Sequence, residues 1–386
     1  MSLKVFRNAN TKKSRWIVLG ITLFFVMFLM IDVQAHAFDR EAVKKEIKQE
    51  LKKELKEEGG PLAGLKHNLT FSGAVEVAYQ YIDHQDRTDK DSDSISNLVV
   101  GKVELGIEAL INEWTAANVV LLAEDVGVGG NDNVFVDEAT ITLQNEKKFP
   151  IYFVLGKRGQ PFGQFYTHTI SDPITKAAYE VAATGMTVGL APGFYDLDLS
   201  LTVYKGEYVM DQVSDIGSAP GRNAGYTADD DVSSCIVALS LSPFEGFTLG
   251  IAYDSEPGHD SRNNTLNAFA QFSRFGLTLE AEYFTATKRE TFTADGRSYN
   301  EKAWTVGVAY QVLEPLEVAL RYEKFNNGRP EATGDFNYIY VIGINYQILE
   351  NVCLMAEYRR LQEKDGGDNT YLKGVNEFCF QVAAEW

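Results

Sequence analysis

Charged side chains recur at every second position along much of this chain: Glu280 and Glu282, then Glu317, Arg321 and Glu323, then Glu357 and Arg359. Apolar residues fill the places between them, as in Leu279, Ala281 and Tyr283, or Val318, Leu320 and Tyr322. Charges spaced by two line one face of an extended strand. They do not by themselves bring a nucleophile, a base and an orienting group together. The rest of the chain does not supply that set either. Past the N-terminal segment the histidines are His67, His84, His168 and His259, and no G-x-S-x-G occurs. Cys235, Cys353 and Cys379 form no CxxC or Cys/His pattern, so no metal site, disulfide framework or cofactor is expected. Asp89-Lys90-Asp91-Ser92-Asp93 starts like a calcium loop, but Val100 and Gly101 stand where the later bidentate Glu belongs. The chemistry on offer is the solvation of charge, and no enzymatic activity is expected.

The elements that position these residues begin at His67, where period-two segments alternate with turn residues. Their spacing predicts sixteen strands, at 67–83, 97–112, 114–124, 133–146, 150–160, 183–191, 194–208, 231–243, 246–255, 263–274, 276–288, 301–313, 315–326, 335–349, 351–362 and 374–386. Connections after even-numbered strands are short, among them Glu113, Pro192-Gly193, Phe244-Glu245, Phe275, Glu314 and Glu350. Those after odd-numbered strands are mostly long and polar. Loops sorted by parity suit an antiparallel barrel in lipid, with tight turns at one end and large loops at the other. A soluble β-sandwich has no reason to sort them. No later stretch approaches the roughly 20 apolar residues of a spanning helix. The expected fold class is therefore all-β: a sixteen-stranded antiparallel transmembrane β-barrel with a short N-terminal periplasmic helix.

In such a barrel the apolar parity faces lipid and the polar parity faces a lumen. Sixteen strands leave an aqueous interior, where carboxylates stay solvated. The residues expected to line it are Glu76, Glu104, Glu108, Asp198, Glu280, Glu282, Glu317, Arg321, Glu357 and Arg359, with Lys102, Glu124 and Glu138 as further candidates. Acids outnumber bases, which favours cations or neutral solutes over small anions. The chain closes on Phe378, Phe380, Val382, Ala384 and Trp386 on one face, opposite Glu377, Gln381 and Glu385. Phe378, Phe380 and Trp386 are expected to form the C-terminal signal read by the barrel assembly machinery. The 19 Tyr and 23 Phe suit rings placed at membrane–water interfaces. A net charge of −18 argues against a nucleic-acid partner.

Three segments are expected. Residues 1–37 read as a signal peptide: Lys12, Lys13 and Arg15 precede an apolar run from Trp16 to Ile31 and then Ala35-His36-Ala37. Residues 38–60 read as a charged helix, stopped by Gly59-Gly60-Pro61. Val43, Ile47, Leu51 and Leu55 recur every four residues, which leaves open a short oligomerising coiled coil or a solvated periplasmic helix. Residues 61–386 form the barrel.

The third long connection differs from the others. From Gln160 to Glu180 it mixes aromatic and apolar residues with few charges, and so belongs in a buried place. Leu155-Gly156-Lys157-Arg158-Gly159-Gln160-Pro161-Phe162-Gly163, then His168 and Ile170-Ser171-Asp172-Pro173-Ile174-Thr175, resembles the corresponding stretch of LbtU-type siderophore porins. The signal peptide, charged helix and sixteen strands resemble that family's layout as well. The resemblance implies an outer-membrane porin, a homotrimer by analogy, taking up ferric siderophore or a similar small molecule without a plug domain. It also implies a third loop folded inward. The narrow zone would then be lined by Arg158, Gln164, Tyr166, His168, Asp172, Lys176 and Glu180. Outer-membrane lipid and lipopolysaccharide are the implied surroundings. Two alternatives stay open: a non-specific or cation-preferring diffusion porin, and a barrel that tethers the envelope through its N-terminal helix.

Overall fold

The computed structural model describes residues 68–85, 94–128, 133–215, 231–291, 296–328, 336–363 and 374–386. The expected signal peptide, the charged helix, His67 and the Asp89–Asp93 segment lie outside the described residues. The described strands in chain order are β1 (Leu69–Gln85), β2 (Ser94–Asn112), β3 (Thr115–Val126), β4 (Phe135–Asn145) and β5 (Phe149–Gly159). A short helix α1 (Ile174–Tyr179) precedes β6 (Ala182–Leu190) and β7 (Asp198–Lys205). Helix α2 (Tyr208–Asp215) precedes β8 (Val232–Phe244), β9 (Phe247–Glu256), β10 (Asn263–Arg274), β11 (Leu277–Lys288) and β12 (Lys302–Leu313). The last four are β13 (Leu316–Asn326), β14 (Phe336–Leu349), β15 (Val352–Glu363) and β16 (Gly374–Glu385).

Each strand pairs antiparallel with its neighbours in sequence, and β1 pairs with β16 to close the ring. Closure is completed by Trp386, whose N–H and C=O exchange hydrogen bonds with Gly73, both at 3.1 Å. A side chain at Gly73 would run into the Trp386 indole, so the absence of a Cβ is what admits the ring. With no edge left, every strand satisfies its backbone internally, as a bilayer requires.

The burial pattern is that of a soluble protein turned inside out. Leu320 is 49% exposed while its neighbour Arg321 is 4% exposed, and Leu279, Tyr340 and Ile342 join the apolar outer face. Aromatic side chains ring the short-turn end, including Trp114, Phe149, Phe194, Phe244 and Phe275. Toward the other end Trp304, Tyr322, Tyr340 and Tyr338 meet ring to ring in series, tilted or edge-on, the second girdle of a membrane barrel.

One strand and one loop differ from expectation. The seventh strand was expected over 194–208, but β7 runs only Asp198–Lys205. Tyr195 and Asp196 take left-handed φ of 54° and 44°, and Leu197 N–H donates to Phe194 O at 3.1 Å, so this stretch is a turn. After Gly206 the chain forms α2, where a polar loop was expected. Its stripe of Val209, Met210 and Val213 is too short to read as a helix in sequence, yet these three side chains are nearly inaccessible.

Candidate functional site

The third long loop, L3 (residues 160–181), starts from a pinched neck. Gln160 N–H donates to Val181 O at 2.8 Å, and the Gln160 amide donates to Ala183 O at 2.7 Å. Gly163 at φ 99° then turns the chain into the barrel, packed so closely on the Phe165 ring that a Cβ has no room. Phe162, Ile174, Ala178, Tyr179 and Val181 pack on inward apolar residues of the wall, among them Tyr204, Ile236, Phe284, Ala303, Phe325 and Ile339. Phe284 is the centre of this cluster. Its ring stacks on Tyr179 at 4.4 Å and on Phe165 at 5.7 Å, and meets Phe162 edge-on at 5.4 Å. Such pairs add about 0.5–1.5 kcal/mol each beyond the area they bury.

A polar seam runs beside the apolar one. Arg321 on β13 donates to Thr167 Oγ1 at 2.6 Å, to Ser171 O at 2.8 Å, to Ser171 Oγ at 2.9 Å, and to Thr169 Oγ1. Its Nε donates to Glu323 at 2.7 Å, within an ion pair almost wholly removed from solvent. Glu323 in turn accepts from Ile174 N–H at 2.5 Å. The wall thereby caps α1, whose own N-cap is Pro173 and offers no side-chain acceptor. Glu282 accepts from the N–H groups of Gln164 (2.8 Å) and Phe165 (3.1 Å), and Glu357 from that of Ser171 (2.9 Å). His168 Nδ1 lies 3.1 Å from Glu317, and its Nε2 lies 3.7 Å from Glu280.

The inward carboxylates therefore behave differently from the solvated lining expected of them. Glu280, Glu282, Arg321 and Glu357 do face inward, but they are buried; Glu282, Arg321 and Glu357 are satisfied largely by loop groups, whereas Glu280 has only His168 of L3 beside it, at 3.7 Å. Glu317 shares His168 and the Asn345 amide. Glu76, Glu104, Glu108, Asp198 and Arg359 remain at least partly open. Among the residues expected in the narrow zone, His168 is turned to the wall and Tyr166 packs edge-on against the wall residue Phe269. Gln164 and Asp172 are exposed, whereas Arg158, Lys176 and Glu180 are half-buried.

Asp172, Lys176 and Glu180, four apart, make the polar face of L3. Lys176 Nζ lies 3.0 Å from Asp172 Oδ2. Burial works to lower the Lys176 pKa, but Asp172, Glu180 and, across the gap, Glu124 of β3 outweigh it and hold the ammonium above its ordinary value. Glu180 goes the other way. Burial pushes its carboxyl above the ordinary range, Lys176 opposes, and Asp172, Asp137 and Glu124 add to the rise. The charges of L3 thus share one polar region with Glu124 of β3 and Asp137 of β4, and Glu180 reaches the end of β5 at Gly159. The wall of β2 to β5 carries the Lys102–Glu104 pair at 2.6 Å, Glu138 bonded to Asn118 at 3.0 Å, and Arg158 bonded to Thr187 at 3.2 Å.

Sequence reading missed Phe284, Thr305, Tyr204 and Glu256. A signal for the first and third exists: Tyr204, Ile236, Phe284, Phe325 and Ile339 are apolar or aromatic on the parity that should be wet. That break in the polar face marks where a loop lands.

A sealed wall with an apolar exterior, charged inner groups and a loop narrowing a polar lumen defines a passive diffusion channel of the outer membrane. Residues 57–366, well over half of the sequence, match the model of the Gram-negative porin family, and the chain belongs to that family. A UPF0422 protein of Coxiella burnetii (strain RSA 493 / Nine Mile phase I) is 25% identical over 199 residues, 50% of this chain and 43% of that protein, so the chain spans less than half of that relative's length. The anion-selective porin from Comamonas acidovorans shares the fold with a TM-score of 0.61 at 12% identity, over 82% of this chain and 99% of that one. The outer membrane channel DcaP of Acinetobacter baumannii gives 0.61 at 12% identity, over 82% and 97%. At such identities the likeness is one of fold.

Proposed function

We propose that small hydrophilic solutes cross between the polar face of L3 and the wall of β2 to β5, with preference for cations and neutral molecules over small anions. The observation that carries this reading is the charge set around the gap. Asp172, Glu180, Glu104, Glu124 and Glu138 outnumber Lys176, Lys102 and Arg158. The fold shared with an anion-selective porin does not bear on this, because lining charges and not strand count set ion preference. The test is the reversal potential in a salt gradient across a planar bilayer. Lys176→Glu is expected to raise cation over anion permeability by about threefold or more, because it changes the local charge by two on the polar face of L3. Clear anion preference of the unaltered channel sinks the proposal. Mild acid should weaken cation preference, since the raised pKa of Glu180 makes it one of the first carboxyls to lose its charge as pH falls.

Ferric siderophore uptake is a narrower reading, supported by the L3 resemblance. An acidic gap favours neutral or cationic chelates within that class. Liposome swelling with sugars and with ferric chelates of opposite charge decides it: chelate entry no faster than that of a sugar of equal size leaves a general diffusion porin. We further propose removal of residues 1–37, a periplasmic segment over 38–60, insertion by the barrel assembly machinery beside lipopolysaccharide, and assembly as a homotrimer. Deleting residues 38–60 separates the roles of that segment: loss of trimers speaks for assembly, and a weakened envelope with intact flux speaks for tethering.

A further inference from the structure

We infer that α2 is a second constriction element, holding L3 from the side away from its wall contacts, with Glu256 as the positioning residue. This rests on the proposed passage beside L3. The sequence offers no hint of it, since α2 sits where a polar external loop was expected.

The geometry is specific. Glu256, at the end of β9 and 1% exposed, accepts from the N–H groups of Val209 (2.9 Å) and Met210 (3.1 Å). These belong to the first turn of α2, where helix N–H groups lack internal partners and carry partial positive charge. The Tyr204 hydroxyl lies 2.9 Å from the same carboxylate. So fixed, α2 turns Val209 and Val213 into the apolar cluster that contains Ile174, Ala178, Tyr179 and Val181 of L3. Flanking that face, Gln212 donates to Glu180 O at 2.6 Å. Glu180 is the C-cap of α1, whose final carbonyls have no helical partner, so α2 satisfies at that end what Glu323 satisfies at the other.

The consequence concerns the gap. Arg321, Glu282 and Glu357 grip L3 between Gln164 and Asp172, and Glu323 and Thr305 hold Ile174 and Thr175, but past them the return limb with Lys176 and Glu180 rests on the apolar cluster and on α2. Without α2, the apolar cluster that holds Ile174, Ala178, Tyr179 and Val181 would lose Val209 and Val213. The limb that carries the constriction charges would lose the part of its support nearest Glu180.

Single-channel conductance and the largest sugar admitted in liposome swelling test this on the full-length protein. Glu256→Ala leaves two helix N–H groups without their acceptor, while the Tyr204 hydroxyl keeps Asp254 Oδ1 at 2.7 Å, and Val213→Asp puts a charge into the apolar seat by a separate route. Both are expected to raise conductance by about twofold or more and to admit larger sugars, as when any element leaves a narrow pore. Glu256→Gln, which keeps one acceptor oxygen, should fall between. Heat-modifiable gel migration checks that each barrel is folded, and a variant that fails there is judged by the other. Unchanged conductance and sugar limit in a folded variant, beside a conducting unaltered channel, overturns the role of α2. A non-conducting unaltered channel would instead remove the proposed passage, and this inference with it.

Discussion

Arg321→Ala should release the first half of L3 and cost the barrel about 3–5 kcal/mol, because it leaves Glu323 as a buried charge without its partner. The same change strips donors from Thr167, Thr169, Ser171 and the carbonyl of Asp172. Urea unfolding in detergent reads the stability, and single-channel recording reads the loop as a larger, noisier conductance. Arg321→Lys should not restore either, since an ammonium is a point charge and cannot fork across several acceptors on one plane. Replacing Arg321 and Glu323 together by leucine should recover part of the stability, because no stranded charge remains, while the conductance stays raised. A change below about 1 kcal/mol, the scale of a surface pair, together with a normal conductance would show that the seam does not hold the loop.

The barrel is legible in the sequence because lipid imposes a strict alternation. In β11 and β13 each apolar residue that faces outward is followed by one that faces in, and a slip of one residue would expose Arg321 or Glu282 to lipid. Most boundaries therefore fall within two or three residues of those read from sequence. The reading fails where backbone geometry overrides pattern, as at Tyr195 and Asp196, whose left-handed turn shortens β7. It fails again at α2, where about two turns of helix depend on Glu256, a residue far along the chain. The L3 motif is informative in an unexpected way. His168, Ser171, Pro173, Ile174 and Thr175 are the residues that meet Glu317, Glu357, Glu323 and Thr305 or cap α1. A run of that kind specifies how a loop is seated on its wall. It says little about what passes the other face, which is why the solute stays hidden while the architecture does not.

Phe284→Ala carries the other large expected effect. The ring is fully buried and touches three loop rings, so its loss combines transfer energy with a cavity and should cost about 3–5 kcal/mol. Phe284→Leu keeps most of the volume and should cost far less. Conductance should rise here too, though by a different route from Arg321→Ala, since the apolar seam supports Phe162, Phe165 and Tyr179 and not the Thr167–Asp172 stretch. The combination of the two changes is the sharper measurement. If L3 moves as one body, the first substitution already frees it, and the second adds less than its separate cost, a coupling of about 0.5–3 kcal/mol. Strict additivity would mean that the two limbs detach independently. In that case the neck at Gln160 and Val181 would act as a hinge with two arms, and the width of the passage would be set by the return limb alone.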